Sequence, residues 1–84
     1  MTMTQQEILE KITPIFQDVF NDDEMVVNME LTSDDINEWS SISQVLLVTE
    51  LEEAFDIKFK LMDVAVMNDV KTIVNLISEK VSSI

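Results

Sequence analysis

The chain has 84 residues, which is enough for one modest hydrophobic core, and we expect residues 1–84 to form a single domain. It contains no histidine and no cysteine, so a Ser-His-Asp triad, a disulfide and a thiolate metal site are excluded within the chain, and an independent enzyme is not expected. Seventeen acidic against five basic residues give a formal charge of -12, which disfavours nucleic acid and anionic membranes and favours partner proteins with basic patches.

The N-terminal residues lack the basic and apolar regions of a signal peptide, and no segment is apolar enough to span a bilayer. We therefore expect a cytoplasmic protein without membrane contact. Glycine is absent, so turns must use asparagine and aspartate, and candidate breaks lie at 21–23, Asn37 and 68–69. Hairpins without glycine are unfavourable, and the sequence predicts an all-α fold.

The first predicted helix covers about residues 4–20. Thr4 is a suitable N-cap, and Glu7 three residues later completes a capping box. Apolar residues recur at spacings of three and four and form the inward face: Ile8, Leu9, Ile12, Ile15, Phe16, Val19 and Phe20. Pro14 lies inside this pattern without a backbone N–H, so we expect a kink there.

Residues 21–40 show no helical periodicity and predict a long loop. A few apolar side chains are expected to hold it on the core: Val26 or Val27, Met29 and Leu31. Residues 34–36 are expected to form one helical turn. A loop of this length in a small domain is usually functional. The acidic residues in it lack the glycine and the spacing of a calcium loop, so no specific metal site is predicted.

A second helix is predicted over about residues 41–55, with Ser41 and Gln44 as a possible capping box. Spacings of three and four place five residues on one face, and the apolar members are assigned to the core: Gln44, Leu47, Val48, Leu51 and Phe55. The other side carries the residues predicted to bind partners: Ile42, Val45, Leu46, Thr49, Glu50 and Glu53. An apolar strip between acidic side chains is typical of a docking surface, and the alternative is that the long loop covers it.

The remaining chain predicts an extended link at 57–59, a short helix at about 62–67 and a last helix at about 70–81. The inward face of the last helix is apolar: Ile73, Val74, Leu76, Ile77 and Val81. Lys80 near its end complements the helix dipole. The sequence thus predicts a small four-helix bundle with a long loop between the first two helices.

The segment Trp39-Ser40-Ser41-Ile42 stands before a helix that ends in Leu51-Glu52-Glu53-Ala54-Phe55. Together with the order of elements, it resembles the acyl carrier protein family, in which many members read Trp-Asp-Ser-Leu and then Leu-Glu-Glu-x-Phe. The resemblance implies that Ser41 carries a 4′-phosphopantetheine arm, transferred from coenzyme A by a phosphopantetheinyl transferase. The arm would hold acyl groups as thioesters for acyl-processing enzymes with basic docking patches in fatty-acid, polyketide or related biosynthesis. It implies a monomeric carrier rather than an enzyme.

Two positions depart from the family pattern. Ser40 stands where aspartate is usual, and Ile42 stands where leucine is usual. Ile42 conserves volume and apolarity. Ser40 removes a carboxylate but keeps a side chain that can cap a helix, and modification would be slow or absent if the transferase needs that carboxylate. The alternative is a carrier-like acidic interaction module that is not phosphopantetheinylated, with Ser41 only a helix cap.

Trp39 also has two interpretations. Its ring can anchor the end of the loop on the bundle, or it can belong to a partner-binding surface. We favour the anchor.

Overall fold

The computed structural model describes residues 3–36 and 38–82, and the break predicted at Asn37 lies outside the described residues. The elements are α1 (Gln5–Val19), a 3₁₀ turn (Ser33–Asp35), α2 (Ser41–Phe55), α3 (Leu61–Ala65) and α4 (Val70–Ser82). In the described part of the chain, β structure is limited to an antiparallel bridge between Thr32 and Asp69. The all-α, four-helix prediction is confirmed.

The helix α1 begins with the predicted capping box. Thr4 Oγ1 accepts from the Glu7 N–H at 3.1 Å, and Glu7 Oε1 accepts from the Thr4 N–H at 2.9 Å. The hydrogen bond from the Thr4 N–H, and then the one with the Thr4 side chain, favour the ionised carboxylate and lower the pKa of Glu7. The helix continues through Pro14 without a break, and a kink there stays a prediction. It ends at Val19, and Asn21, two residues further on, adopts the left-handed backbone that asparagine tolerates.

The core lies between α1, α2 and α4. Its fully buried side chains come from all three helices and from the segment before α4: Ile8, Ile12, Phe16, Leu47, Leu51, Met67, Val70, Ile73, Val74 and Ile77. Burying a side chain of this size stabilises the fold by about 1.5–3 kcal/mol relative to leaving it in water. The predicted inward faces are therefore confirmed, although five of their residues are only partly buried: Leu9, Ile15, Val19, Val48 and Leu76.

The long loop is held at both the core and the start of α4. Val27 and Ile36 are buried, Met29 and Leu31 pack against the core, and Val26 is exposed. The Ser33 N–H donates to the Asn68 carbonyl at 2.8 Å, and the Val70 N–H donates to the Leu31 carbonyl at 2.9 Å. These bonds fix the loop beside residues 68–70, so its far end meets α2 in a defined position.

The short helix α3 begins one residue earlier and ends two residues earlier than predicted. Asp63 Oδ2 accepts from the Lys60 N–H at 2.9 Å and lies 3.1 Å from Lys80 Nζ. The hydrogen bond from Lys60 and then the one from Lys80 lower the pKa of Asp63. Lys80 Nζ also lies 5.6 Å from the centre of the Phe59 ring. The C-terminal half of α4 is thereby joined to the start of α3.

None of the helices in the described ranges combines the length and the apolarity that crossing a membrane requires.

Candidate functional site

The N-terminus of α2 is capped by Ser40. Its backbone is extended, its Oγ accepts from the Ser43 N–H at 3.4 Å, and its carbonyl accepts from the Gln44 N–H at 2.9 Å. The predicted capping box of Ser41 and Gln44 is therefore wrong. Both serines suit the cap position, but the extended backbone falls at Ser40 and makes Ser41 the first helical residue.

This assignment separates the roles of three neighbouring serines. Ser40 Oγ caps the helix, and Ser43 Oγ donates to the Glu38 carbonyl at 2.6 Å. Ser41 is exposed, and the structure records no hydrogen bond from its side chain to any described residue. Its hydroxyl is thus open to a reaction partner from outside.

The backbone around Ser41 favours a negatively charged group. The N–H groups of Ser41 and Ile42 belong to the first turn of α2, where the helix supplies no acceptor, and neither has a partner in residues 3–36 or 38–82. These donors and the positive end of the helix dipole make a phosphate bound to Ser41 Oγ electrostatically favourable.

Trp39 fixes the approach to this serine. Its ring meets the Phe16 ring edge-on at 5.6 Å and the Phe20 ring at 5.7 Å between centroids. Its Nε1 donates to Gln44 Oε1 at 2.6 Å. The anchor interpretation of Trp39 is confirmed, because its ring packs on the core and its N–H binds a side chain of α2.

Gln44 has a role that sequence analysis missed. Besides accepting from Trp39, its Nε2 donates to the carbonyls of Val64 at 3.1 Å and Met67 at 3.0 Å. It therefore links the loop, α2 and the segment around α3. A glutamine on the inward face of an apolar helix is itself the signal, because a shielded amide must find hydrogen-bond partners.

A cleft of about 210 Å³ lies beside Ser41. Residues from the loop, α2, α3 and the segment that follows α3 line it: Ser33, Trp39, Ser40, Ser41, Gln44, Val64 and Asn68. The candidate serine thus stands at the edge of a space large enough for part of a small flexible group.

The outer face of α2 is apolar and open. Ile42, Val45 and Leu46, called the apolar strip below, are 76%, 63% and 53% exposed. The alternative that the loop covers Val45 and Leu46 is wrong, because the loop is held near residues 68–70 instead. Thr49 is also exposed, and its hydroxyl donates to the Val45 carbonyl at 2.9 Å.

The acidic residues of α2 differ in what they do. Glu52 Oε2 accepts from the Phe59 N–H at 2.8 Å, so this carboxylate fixes the link after the helix. Glu50 and Glu53 are exposed beside the apolar strip, and α2 contains no lysine or arginine. The outward surface of α2 is therefore apolar and negative together.

A second exposed apolar group lies on α3 and was not predicted. Leu61 and Met62 are 87% and 82% exposed, and Val66 just after the helix is more than half exposed. The helix α3 buries none of its own residues fully, and the core contacts of this segment come from the partly buried Val64 and the buried Met67.

Comparison with models of known protein families finds no match for this chain, and comparison with curated protein sequences finds none either. Among solved structures, the chain is similar to the solution NMR structure of a holo acyl carrier protein from Geobacter metallireducens. The TM-score is 0.82 and the sequence identity 35%, over 89% of this chain and 86% of that chain. The likeness thus extends over nearly the whole of both chains and covers sequence as well as fold.

The fold and the similarity define a carrier protein rather than an enzyme. The chain belongs to the acyl carrier protein family.

Proposed function

We propose that this protein carries acyl groups as thioesters on a 4′-phosphopantetheine arm attached to Ser41. It would present them to enzymes of fatty-acid, polyketide or related biosynthesis. One observation carries the choice of residue: Ser41 is the exposed first residue of α2, and its hydroxyl has no hydrogen-bond partner among residues 3–36 and 38–82, because Ser40 supplies the cap. Family membership supplies the expectation of a phosphopantetheine group.

The attachment is a phosphoryl transfer from coenzyme A. Ser41 Oγ attacks the phosphorus that is attached to the pantetheine arm. A new Oγ–P bond forms, and the P–O bond of the pyrophosphate breaks, so that adenosine 3′,5′-bisphosphate leaves. The serine proton passes to a base of the phosphopantetheinyl transferase, since this chain has no histidine to accept it. Once formed, the phosphodiester is stabilised by the N–H groups of Ser41 and Ile42.

The outward face of α2 serves as the docking surface. Its residues are the apolar strip together with Thr49, Glu50 and Glu53. The strip loses contact with water when a partner binds, while the carboxylates attract basic patches on the transferase and on acyl-processing enzymes. We further propose that residues 1–84 act as one monomeric carrier domain in the cytoplasm, without nucleic acid or membrane partners.

A second candidate function is an acidic interaction module that never receives the arm. The observation that favours it is Ser40 in place of the aspartate usual in this family. Such a protein would use the same α2 surface to bind partners, and Ser41 would have no chemical role.

Mass spectrometry after co-expression with a phosphopantetheinyl transferase separates the two functions. We expect wild-type protein to gain the mass of one phosphopantetheine and Ser41→Ala to gain none. Ser40→Ala and Ser43→Ala are the matched controls, each removing one neighbouring hydroxyl, and both should still be modified. If several transferases add no mass to the wild type, the interaction module is the better assignment.

A further inference from the structure

Polar side chains make up most of the lining of the cleft beside Ser41. Five of its seven lining residues carry polar side chains, and only Trp39 and Val64 offer apolar surface. The side chains of Ser33 and Asn68 have no hydrogen-bond partner in the described part of the chain, so their polar atoms are available to a guest. A group that enters this space would be stabilised by hydrogen bonds more than by apolar contact.

The way from this cleft into the apolar core is closed by Gln44. Its side-chain amide accepts a hydrogen bond from Trp39 and donates to the carbonyls of Val64 and Met67. Displacing it would leave the indole N–H of Trp39 and the Met67 carbonyl without their partners in a partly buried place, while the Val64 carbonyl would keep only the Met67 N–H, at 3.2 Å. An alkyl chain cannot offer a hydrogen bond in return.

The core next to Gln44 is made of fully buried side chains. Leu47, one turn further along the same face of α2, is fully buried, as is Met67, whose carbonyl Gln44 binds. Cores are packed nearly as densely as organic crystals, and an inserted chain would have to push these side chains out of place.

We propose that this carrier is built for short or polar acyl groups, which stay in the cleft or in solvent, and does not shelter a long alkyl chain inside the bundle. This inference rests on the proposed function, because it concerns the cargo of the arm on Ser41. Gln44 is the residue that determines this specificity, since it lines the polar cleft and holds α2 and the α3 segment together.

The test loads Ser41 with defined acyl groups. A transferase that accepts acyl-coenzyme A is supplied with octanoyl, acetyl or 3-hydroxybutyryl derivatives, and mass spectrometry checks that each product carries its group. Backbone amide shifts are then recorded by NMR for core residues such as Leu47, Met67 and Ile73. The rate at which hydroxylamine cleaves the thioester is a second measurement, which reports how well the bundle shields the thioester from solvent.

For the wild type, we expect the core amides to have the same shifts in the octanoyl and acetyl forms. The two thioesters should be cleaved at similar rates. The 3-hydroxybutyryl form should shift the amides of Ser33 and Asn68 in the cleft. In Gln44→Leu, the octanoyl form should shift the core amides and be cleaved more slowly, because the polar closure is gone.

Gln17→Leu is the matched control, since Gln17 also donates from its side chain to a backbone carbonyl, that of Met25 at 3.1 Å, but lies away from the cleft. It should behave as the wild type does. If Gln44→Leu fails to fold, the wild-type comparison still decides the question.

The inference is overturned, with the proposed function intact, if octanoyl loading of the wild type shifts the core amides. Cleavage about tenfold slower than for the acetyl form would have the same meaning, because such protection measures how rarely a sheltered group opens to solvent. If no acyl group is added at all, the proposed function fails and the inference falls with it.

Discussion

At the scale of single residues, two adjacent serines have different tasks because of one backbone angle. The extended conformation of Ser40, with ψ at -179°, turns its hydroxyl toward the Ser43 N–H and begins the helix at Ser41. A cap holds its hydroxyl in a fixed bond, whereas a residue that receives a prosthetic group needs a free one. The same chemical group therefore serves structure at position 40 and is free for chemistry at position 41.

Substitution of Ser40 tests this division of labour. Asparagine and aspartate cap helices about as well as serine, so Ser40→Asn and Ser40→Asp should change the free energy of unfolding by no more than about 0.5 kcal/mol. If the transferase uses a carboxylate before the modified serine, Ser40→Asp should receive the arm faster than the wild type. Single-turnover loading followed by mass spectrometry measures the rate.

Ser40→Asn is the control, because it keeps the cap without adding charge, and it should load as the wild type does. Equal rates for the aspartate and asparagine variants would mean that the missing carboxylate does not limit modification. Ser40→Ala, which loses the cap, should be destabilised by about 0.5–1 kcal/mol, since the cap bond is long at 3.4 Å.

Trp39 gives a second prediction at this scale. Trp39→Phe keeps a ring against Phe16 and Phe20 but leaves Gln44 Oε1 without its donor, and we expect a loss of about 1 kcal/mol in unfolding free energy. Trp39→Ala also loses the ring contacts and should cost about 2–4 kcal/mol. Urea unfolding followed by circular dichroism measures both. An alanine variant as stable as the wild type would contradict the anchor role.

At the scale of elements, α2 is a helix with two apolar sides. One side enters the core through Leu47, Leu51 and Phe55, and the other presents the apolar strip to solvent. Burial stabilises the first side, but nothing in the described chain covers the second. The exposed side is therefore free for a partner, which is what a docking helix requires.

Leu46 and Leu47 are neighbours on α2 and provide a matched pair. Leu46→Ala removes an exposed side chain and should change the unfolding free energy by no more than about 0.5 kcal/mol. Leu47→Ala removes a fully buried one and should cost about 2–5 kcal/mol. Chemical denaturation distinguishes the two.

At temperatures where both variants are folded, Leu46→Ala should weaken binding to the transferase more than Leu47→Ala does. Leu46→Ala should weaken the affinity for the transferase by about fivefold or more, as truncation at an important interface position does. Isothermal titration calorimetry gives the dissociation constants. An unchanged affinity for Leu46→Ala would exclude the apolar strip from the interface.

The capping box of α1 should make stability depend on pH. The pKa of Glu7 is below its ordinary value of 4.5 in the folded protein because Thr4 donates to its carboxylate. A carboxylate whose pKa is lower in the folded state than in the unfolded state stabilises the fold. This stabilisation is fully present above the unfolded-state pKa and is lost as the pH falls through the folded-state pKa. The pKa of Asp63 at the start of α3 is also lowered, chiefly by the hydrogen bond from the Lys60 N–H. Its contribution to stability should therefore also be lost as the pH falls.

Glu7→Gln isolates this effect, because its amide oxygen can still accept from Thr4 but does not ionise. The wild type should be more stable than the variant at neutral pH, and the difference should vanish in acid below the folded pKa. Thermal unfolding of both proteins across this range is the measurement. A difference that persists unchanged in acid would show that the charge of Glu7 contributes nothing.

Local patterns predicted the elements better than their connections. The bounds of α2 were predicted from a serine cluster before an apolar run. The left-handed backbone of Asp56, which caps the end of the helix, was not predicted. The cap at Ser40 was missed because neighbouring serines are equally competent. The network of Gln44 and the bond from Ser33 to Asn68 could not be predicted, because they join residues that are distant in sequence and meet only in the fold.

At the scale of the whole molecule, charge dominates. The formal charge is -12 on 84 residues, and one ion pair, Lys80 with Asp63, occurs within the described residues. Most of the carboxylates in this part of the chain therefore have no cationic side chain paired with them. Such a surface speeds encounters with basic partners but opposes the compact state through self-repulsion.

Salt should therefore stabilise the fold. At 0.1 M ionic strength, charges further apart than about 10 Å are largely screened, so sodium chloride should raise the melting temperature from its low-salt value. Magnesium chloride at equal ionic strength should raise it at least as much, since a divalent ion also gathers diffusely around carboxylates. Differential scanning calorimetry measures both. A melting temperature that is constant or falls with salt would contradict a repulsive surface.

The negative net charge of the chain also affects how fast it associates with a basic partner. Association with a basic transferase should slow as salt rises, while the folded carrier becomes more stable. If salt raises the stability but lowers the association rate, the acidic surface has two separate effects: self-repulsion within the fold and attraction of basic partners.

The most direct measurement is the position of the prosthetic group on the wild-type chain. Protein incubated with coenzyme A and a phosphopantetheinyl transferase is digested, and tandem mass spectrometry locates the added phosphopantetheine among the serines of the Trp39–Gln44 peptide region. We predict that the fragment ions assign it to Ser41 alone. Assignment to Ser40 or Ser43, or a wild-type chain that stays unmodified with every transferase tried, would contradict the role of the free hydroxyl at the start of α2.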